Sequence, residues 1–399
     1  MRRGSAPVPR AFFVVALANF LFFLNASFFF LMPVWILQHG GGEAVAGRVV
    51  GAQGFAGLAV LPLIGWMLDH LGRRRVLIFG TFVGAFCSAA YSLIDGVGPA
   101  LYAIQIVGGI AATCAFTSGL TLAVLFAPLE NRARTLGWFG ISTILTNAIS
   151  PALGEEIVRR WSFDVMFLIA AGLAAAAFVL SCTLPRPPEL RVSEHAAAPD
   201  PTVARRAVAV ACFAMICYGF GFGATITFVP VLIARFHLGR IGAFFLAWSS
   251  AAVVTRFVLG GASDRYGRRR VLLPAMGAMS FALLSLALLR TPLAIVLTGV
   301  VFGCAQGLLY PTMNALVADW SNPRNIGRTQ SLFSGSYSLG ISACSFFFGW
   351  IAEHHGYTAM FLVAFAITLL GLTTFVAAAP NFVARAASLA SVGSGTEAA

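Results

Sequence analysis

The chain contains no lysine, very little charge, and no cysteine pattern that could hold a metal. Charged residues are 10% of the 399, against roughly 25% in soluble domains, which excludes an ordinary solvated globular protein. Without lysine there is no Gly-x-x-x-x-Gly-Lys phosphate loop, so an ATP-driven pump is disfavoured. The seven cysteines lie in apolar runs with no CxxC or Cys/His spacing, so neither a disulfide framework nor a metal or other cofactor is expected. No aspartate cluster or His-Asp pair marks a membrane face, so a lipid-modifying membrane enzyme finds no support, and the chain is not read as an enzyme. The net charge of +12 is not massed on a soluble domain, which removes nucleic acid as a partner.

What is present is apolar sequence, 59% of the chain. Crossing a bilayer needs about 20 such residues in one helix. Twelve spans are expected, at 11–37, 47–68, 76–94, 100–126, 135–158, 165–184, 207–235, 241–262, 271–289, 293–319, 329–352 and 360–380. The first is too long for a signal peptide and eleven more follow it. Nineteen arginines fall in one alternating set of connections and termini, and six in the other: Arg48, Arg159, Arg160, Arg235, Arg240 and Arg290. Positive connections stay in the cytoplasm, so both termini are expected there.

The one long polar connector, residues 185–206, divides the chain. A six-helix bundle over 1–184 and a second over 207–380 are expected, with a disordered cytoplasmic tail over 381–399. The expected setting is a bacterial inner (plasma) membrane, crossed many times by a monomer.

Half-way repetition is the most specific signal. Gly65, Asp69, Gly72, Arg73, Arg74 and Arg75 recur as Gly260, Asp264, Gly267, Arg268, Arg269 and Arg270, each 195 residues later. A duplicated unit in a membrane protein points to a transporter. The repeated aspartates oppose the positive trend of their loops. Spans 5 and 11 begin on the same side, and their partly positive N-termini are suitable partners for a carboxylate. Asp69 and Asp264 are therefore expected to latch one half of the chain to the other. Arg73 and Arg268 are expected to pair with Glu130 and Asp319, while Arg74, Arg75, Arg269 and Arg270 read as topology anchors.

The motif Gly-x-x-x-Asp-x-x-Gly-Arg-Arg-Arg between spans 2 and 3 resembles motif A of the major facilitator superfamily, and its second copy occupies the symmetric loop. The resemblance implies an all-α integral membrane fold of twelve transmembrane helices in two pseudo-symmetric six-helix bundles, carrying a small molecule by alternating access. Phe228-Val-Pro230, Gly242-Ala-Phe-Phe245, Tyr310-Pro311-Thr-Met-Asn314 and Gly349 to Tyr357 resemble bacterial efflux-type permeases. Two departures stand out: Gln105 replaces the arginine of the antiporter motif in span 4, and Ser150-Pro151-Ala-Leu-Gly154-Glu155 keeps only part of the span 5 motif. The resemblance implies a proton-linked exporter; an importer or uniporter of a neutral sugar-like metabolite is the alternative.

Polar residues inside spans are costly in lipid and usually face the interior. Asn19, Asn25, Gln53, Gln105, Thr113, Asn147, Tyr218, Thr225, Gln306, Tyr310 and Asn314 are the cavity candidates, each equally readable as a helix-to-helix hydrogen bond. They suit a neutral or amphiphilic substrate. Arg256 is the one charge well inside a span, with a gating or structural role, snorkelling toward the interface or Asp264, or a substrate contact. Glu155 and Glu156 are the only acids placed to bind a driving proton; an interfacial pair is the other reading.

Overall fold

The computed structural model describes residues 9–128, 132–185, 201–321 and 326–378. Among these residues every regular element is helical. Backbone groups in hydrocarbon must be paired within their own segment, and sequence this apolar leaves no other arrangement. In order the helices are α1 (Arg10–Phe28), α2 (Met32–Gln38), α3 (Glu43–Ala59), α4 (Leu61–Met67), α5 (Arg73–Ala90), α6 (Pro99–Phe126) and α7 (Arg132–Arg160). They continue as α8 (Phe163–Thr183), α9 (Pro201–Phe236), α10 (Ile241–Leu259), α11 (Ala262–Tyr266), α12 (Arg268–Leu288), α13 (Pro292–Trp320) and α14 (Ile326–Ala378).

Nine helical stretches among the described residues are long and apolar enough to cross a membrane, fewer than the twelve spans expected. Three local features account for the difference. First, α3 is only 17 residues long, and its continuation α4 runs through a wide turn at Leu68–Gly72 into α5. Second, α7 carries Ser142, Thr143, Thr146, Asn147 and Ser150, which lower its hydropathy. It can do so because it faces protein: Thr146 and Ser150 are buried. Third, the segments expected at 329–352 and 360–380 form one helical run, broken only at Gly356, where φ is 80°. A side chain resists that backbone conformation, and glycine accepts it. The expected connector over 185–206 falls mostly outside the described residues, and the tail over 381–399 wholly so.

Two packing relationships place the site. The first arm of α14 lies along α3, and α10 lies along α7, so each contact joins the early half of the chain to the late half. The main apolar core is continuous across this seam. It includes Phe28, Trp35 and Phe167 from the first half and Phe228, Phe244 and Trp248 from the second.

The repeated motif produces repeated structure. Gly72 and Gly267 take the same conformation, φ 89° with ψ 142° and φ 92° with ψ 137°, and each opens the helix that follows it. Behind each glycine the middle arginine of the triplet does the same work. Arg74 donates to the carbonyl of Cys182 in the last turn of α8, and Arg269 donates to that of Val376 near the end of α14, at 2.9 Å. A cation on the free carbonyls of a helix C-terminus is stabilising. These two arginines therefore tie helices together beyond anchoring the topology.

Candidate functional site

The two halves meet firmly at one end of the molecule, the end opposite the motif loops. Gly47 of α3 sits so close to α14 that an added Cβ would stand 2.0 Å from the carbonyl oxygen of Ser345. Gly242 of α10, 195 residues later, sits against α7, where a Cβ would stand 2.6 Å from the Cα of Ala152. Small residues allow helices this approach, and the motif offset thus relates the two interface glycines as well.

Carboxylates finish the closure. Glu155, near the end of α7, accepts hydrogen bonds from the backbone N–H groups of Ile241 and Gly242 at 3.0 and 2.8 Å. Glu353, on α14, accepts one from Ala44 N–H at 2.8 Å. In each case an acid from one half caps the N-terminus of a helix from the other, where free amides and the helix dipole favour negative charge. Glu43 is 5% exposed; it takes a hydrogen bond from Tyr357 Oη at 3.0 Å and pairs with Arg235, both from the other half. Glu156 lies further out, bonded to Arg159 and Arg160 and 3.7 Å from Arg240 across the seam.

At the motif end no comparable cap is seen among the described residues; the first residues of α7 and α14, which Asp264 and Asp69 are expected to meet, fall where no side chain is described. Asp69 has no hydrogen bond or ion pair among the described residues, and Asp264 has only its own loop's Arg268, at 3.7 Å. An added Cβ at Gly65, Gly72, Gly137, Gly261, Gly267 or Gly335 would meet nothing within 4 Å; at Gly260 it would meet only the preceding turn of its own helix. The expected Arg268–Asp319 pair is present and two-pronged, with the Nη2 contact at 3.2 Å. Its counterpart for Arg73 would be Glu130, which lies outside the described residues.

The polar residues expected in a cavity divide into two groups. Asn19 donates to Thr143 at 3.1 Å, Asn25 to Ser88 at 2.7 Å and to Ala170 O at 2.8 Å, and Asn147 accepts from Ser27 at 2.9 Å. These bonds hold α1 to its neighbours. Thr113 and Thr225 bond their own helices at Gly109 and Gly221, Gln105 and Tyr218 are buried, and the Gln53 backbone packs on Gly109. Gln306, Tyr310 and Asn314 form the second group, on α13 facing α14. The Tyr310 hydroxyl lies 3.3 Å from Ser334, its ring lies 5.3 Å from that of Tyr337, and the buried Asn314 amide oxygen has no partner.

Arg256 does not snorkel toward Asp264. Its Nε donates to the carbonyl of Gly307, at the middle of α13, at 3.1 Å. Side chains on a helix lean toward its N-terminus, which for α10 is the end away from the motif loops. Sequence gives Glu43 no role, reads Arg235 only as an arginine of the less basic side, and includes Glu353 and Tyr357 only within a stretch resembling efflux-type permeases. Acids and bases at helix ends look like ordinary boundary residues, and only knowledge of which ends meet reveals them.

Two overlapping matches to the major facilitator superfamily model cover residues 14–255 and 211–390. The chain belongs to the major facilitator superfamily. An uncharacterized MFS-type transporter of Salmonella typhimurium is 24% identical over 379 residues, covering 90% of this chain and 94% of that one. Solved structures share the fold. A variant of the nucleoside transporter NupG superposes with a TM-score of 0.76 at 16% identity, covering 92% of this chain and 99% of that one. A D-xylose-proton symporter gives 0.74 at 15%, covering 92% and 97%. This superfamily member is therefore a multi-pass membrane transporter of the major facilitator fold, with bacterial relatives.

Proposed function

We propose that this transporter exports a small organic molecule across a bacterial inner membrane by alternating access, linked to protons. The carrying observation is the closure at one end of the seam: glycine contacts and carboxylate caps join the halves there, and among the described residues no such contact is seen at the motif loops. With positive loops inside, the motif end is cytoplasmic, and the conformation is open toward the cytoplasm. The Asp69 and Asp264 latches then belong to the opposite conformation, formed when the cytoplasmic side closes. Two six-helix bundles, 1–184 and 207–380, rock about the seam.

The direction of transport rests on the efflux-type stretches, including Pro151 and Gly154 in α7. A second reading, uniport or import of a neutral metabolite, draws support from Glu155. Both of its carboxylate oxygens are engaged by backbone N–H groups of α10 at the closed end. NupG and the xylose symporter, whose substrates are a nucleoside and a sugar, are fold neighbours that suit this reading. Uptake and efflux of a compound panel in proteoliposomes, with and without an imposed pH gradient, separates the two. Accumulation coupled to proton flow in the opposite direction supports proton-linked export, accumulation with proton flow in the same direction supports import, and equilibration unaffected by pH supports uniport.

A further inference from the structure

Arg256 is a cation held at depth with most of its donors unused. The reason it stays there is local. In a helix the carbonyl of residue i accepts from the N–H of residue i+4, and the residue four beyond Gly307 is Pro311, which has no N–H. The Gly307 carbonyl is thus left free in the middle of the 29-residue α13, and Arg256 Nε supplies the missing donor at 3.1 Å. With that tether in place the guanidinium reaches toward α7 of the other half. There, Nη1 stands 3.5 Å from where a Cβ on Gly140 would be.

Among the described residues Arg256 has no ion pair and no hydrogen bond beyond the one to Gly307. Its side chain is nevertheless partly exposed rather than sealed in protein. The guanidinium lies where α7, α10 and α13 come together. An unpaired charge inside a membrane span is expensive and, by default, functional. The fork of a guanidinium matches a planar carboxylate with two parallel hydrogen bonds. On the same face of α13, two turns beyond Gly307, Asn314 keeps its buried amide oxygen without a partner, offering an acceptor about 10 Å away along the helix.

We infer that the transported molecule is an organic monoanion whose carboxylate-type group is bound by Arg256 at the seam between the halves. This rests on the transporter reading and adds the substrate class to it. One fixed cation suits one negative charge on an otherwise apolar or weakly polar body, and it disfavours both neutral sugars and multiply charged anions.

The test is binding to the purified full-length protein in nanodiscs, using benzoate, salicylate and hexanoate and the matched amides benzamide, salicylamide and hexanamide. The wild type should be thermally stabilised by at least one carboxylate and not by its amide. Arg256→Gln should weaken that binding by about tenfold to a hundredfold, the cost of losing hydrogen bonds to a charged group, and Arg256→Lys should retain part of it. Gly140→Asp is the independent check, because it places a carboxylate beside Arg256 from the protein itself. That variant should fold and lose carboxylate binding. Equal binding of acids and amides, carboxylate binding unchanged in Arg256→Gln or Gly140→Asp, or no binding of any of the three acids overturns the assignment. Arg256-dependent binding without transport of the same compound would leave this site standing and remove the transporter reading. Transport of neutral compounds that ignores Arg256 would do the reverse.

Discussion

Removing the two carboxylate caps should open the end of the molecule that is closed here. Glu155→Ala deletes both acceptors on the α10 N-terminus, and Glu353→Ala deletes the acceptor on α3. A charge at a helix end is worth about 0.3–1 kcal/mol when exposed and up to about 2 when partly buried. Glu155 is partly buried, so about 1–2 kcal/mol is a fair figure, a factor of about 5–30 in a two-state ratio. The pair lie in separate contacts, so their effects should add. The assay is the alkylation rate of Ser345→Cys by an impermeant reagent applied outside, in a background with the native cysteines replaced. Ser345 is fully buried opposite Gly47 and becomes reachable only when this end parts. The double variant should label at least about fivefold faster, with normal expression, while Glu155→Gln, which keeps one acceptor, should fall between. Labelling and turnover both unchanged in the double variant would show that the caps do not hold the gate.

Other perturbations act on the same equilibrium. Gly47→Val would drive a side chain into the Ser345 carbonyl; overpacking of about 1–3 kcal/mol should likewise speed Ser345→Cys labelling, whereas Gly277→Val, with open space around it, should not. Asp69→Asn with Asp264→Asn should leave the thermal stability of the present conformation unchanged, since among the described residues neither carboxylate has a partner across the seam, yet slow transport by weakening the opposite state. Arg74→Ala and Arg269→Ala should each cost about 1 kcal/mol of stability through the lost helix-end bond, seen as a lower melting temperature without a change in open-to-closed ratio.

Much of this architecture was legible in the sequence because repetition and hydropathy are periodic signals. The motif copies at Gly72 and Gly267 adopt matching backbone conformations, and the Arg268–Asp319 pair could be named from loop positions alone. Contacts across the seam were less legible. Glu155 could be singled out as an acid inside a span, but its partners are backbone amides, which carry no sequence signature. Glu43 and Glu353 lie near span ends, where charge is commonplace. Arg256 was visible as a lone charge, yet its orientation depends on a carbonyl freed by a proline on another helix. Asn25 and Asn147 looked like cavity residues because a polar side chain in an apolar span reads the same whether it meets substrate or the next helix.

The most direct test of alternating access is a pair of spin-label distances measured across the seam in nanodiscs. Leu93 and Leu293, both exposed, report the end held by the caps, and Leu71 and Tyr266 report the motif end. Alternating access requires two populations in which one distance shortens as the other lengthens, with the capped-end-closed population reduced by Glu155→Ala. Single, invariant distances at both ends, across pH and in the caps variant, would contradict it.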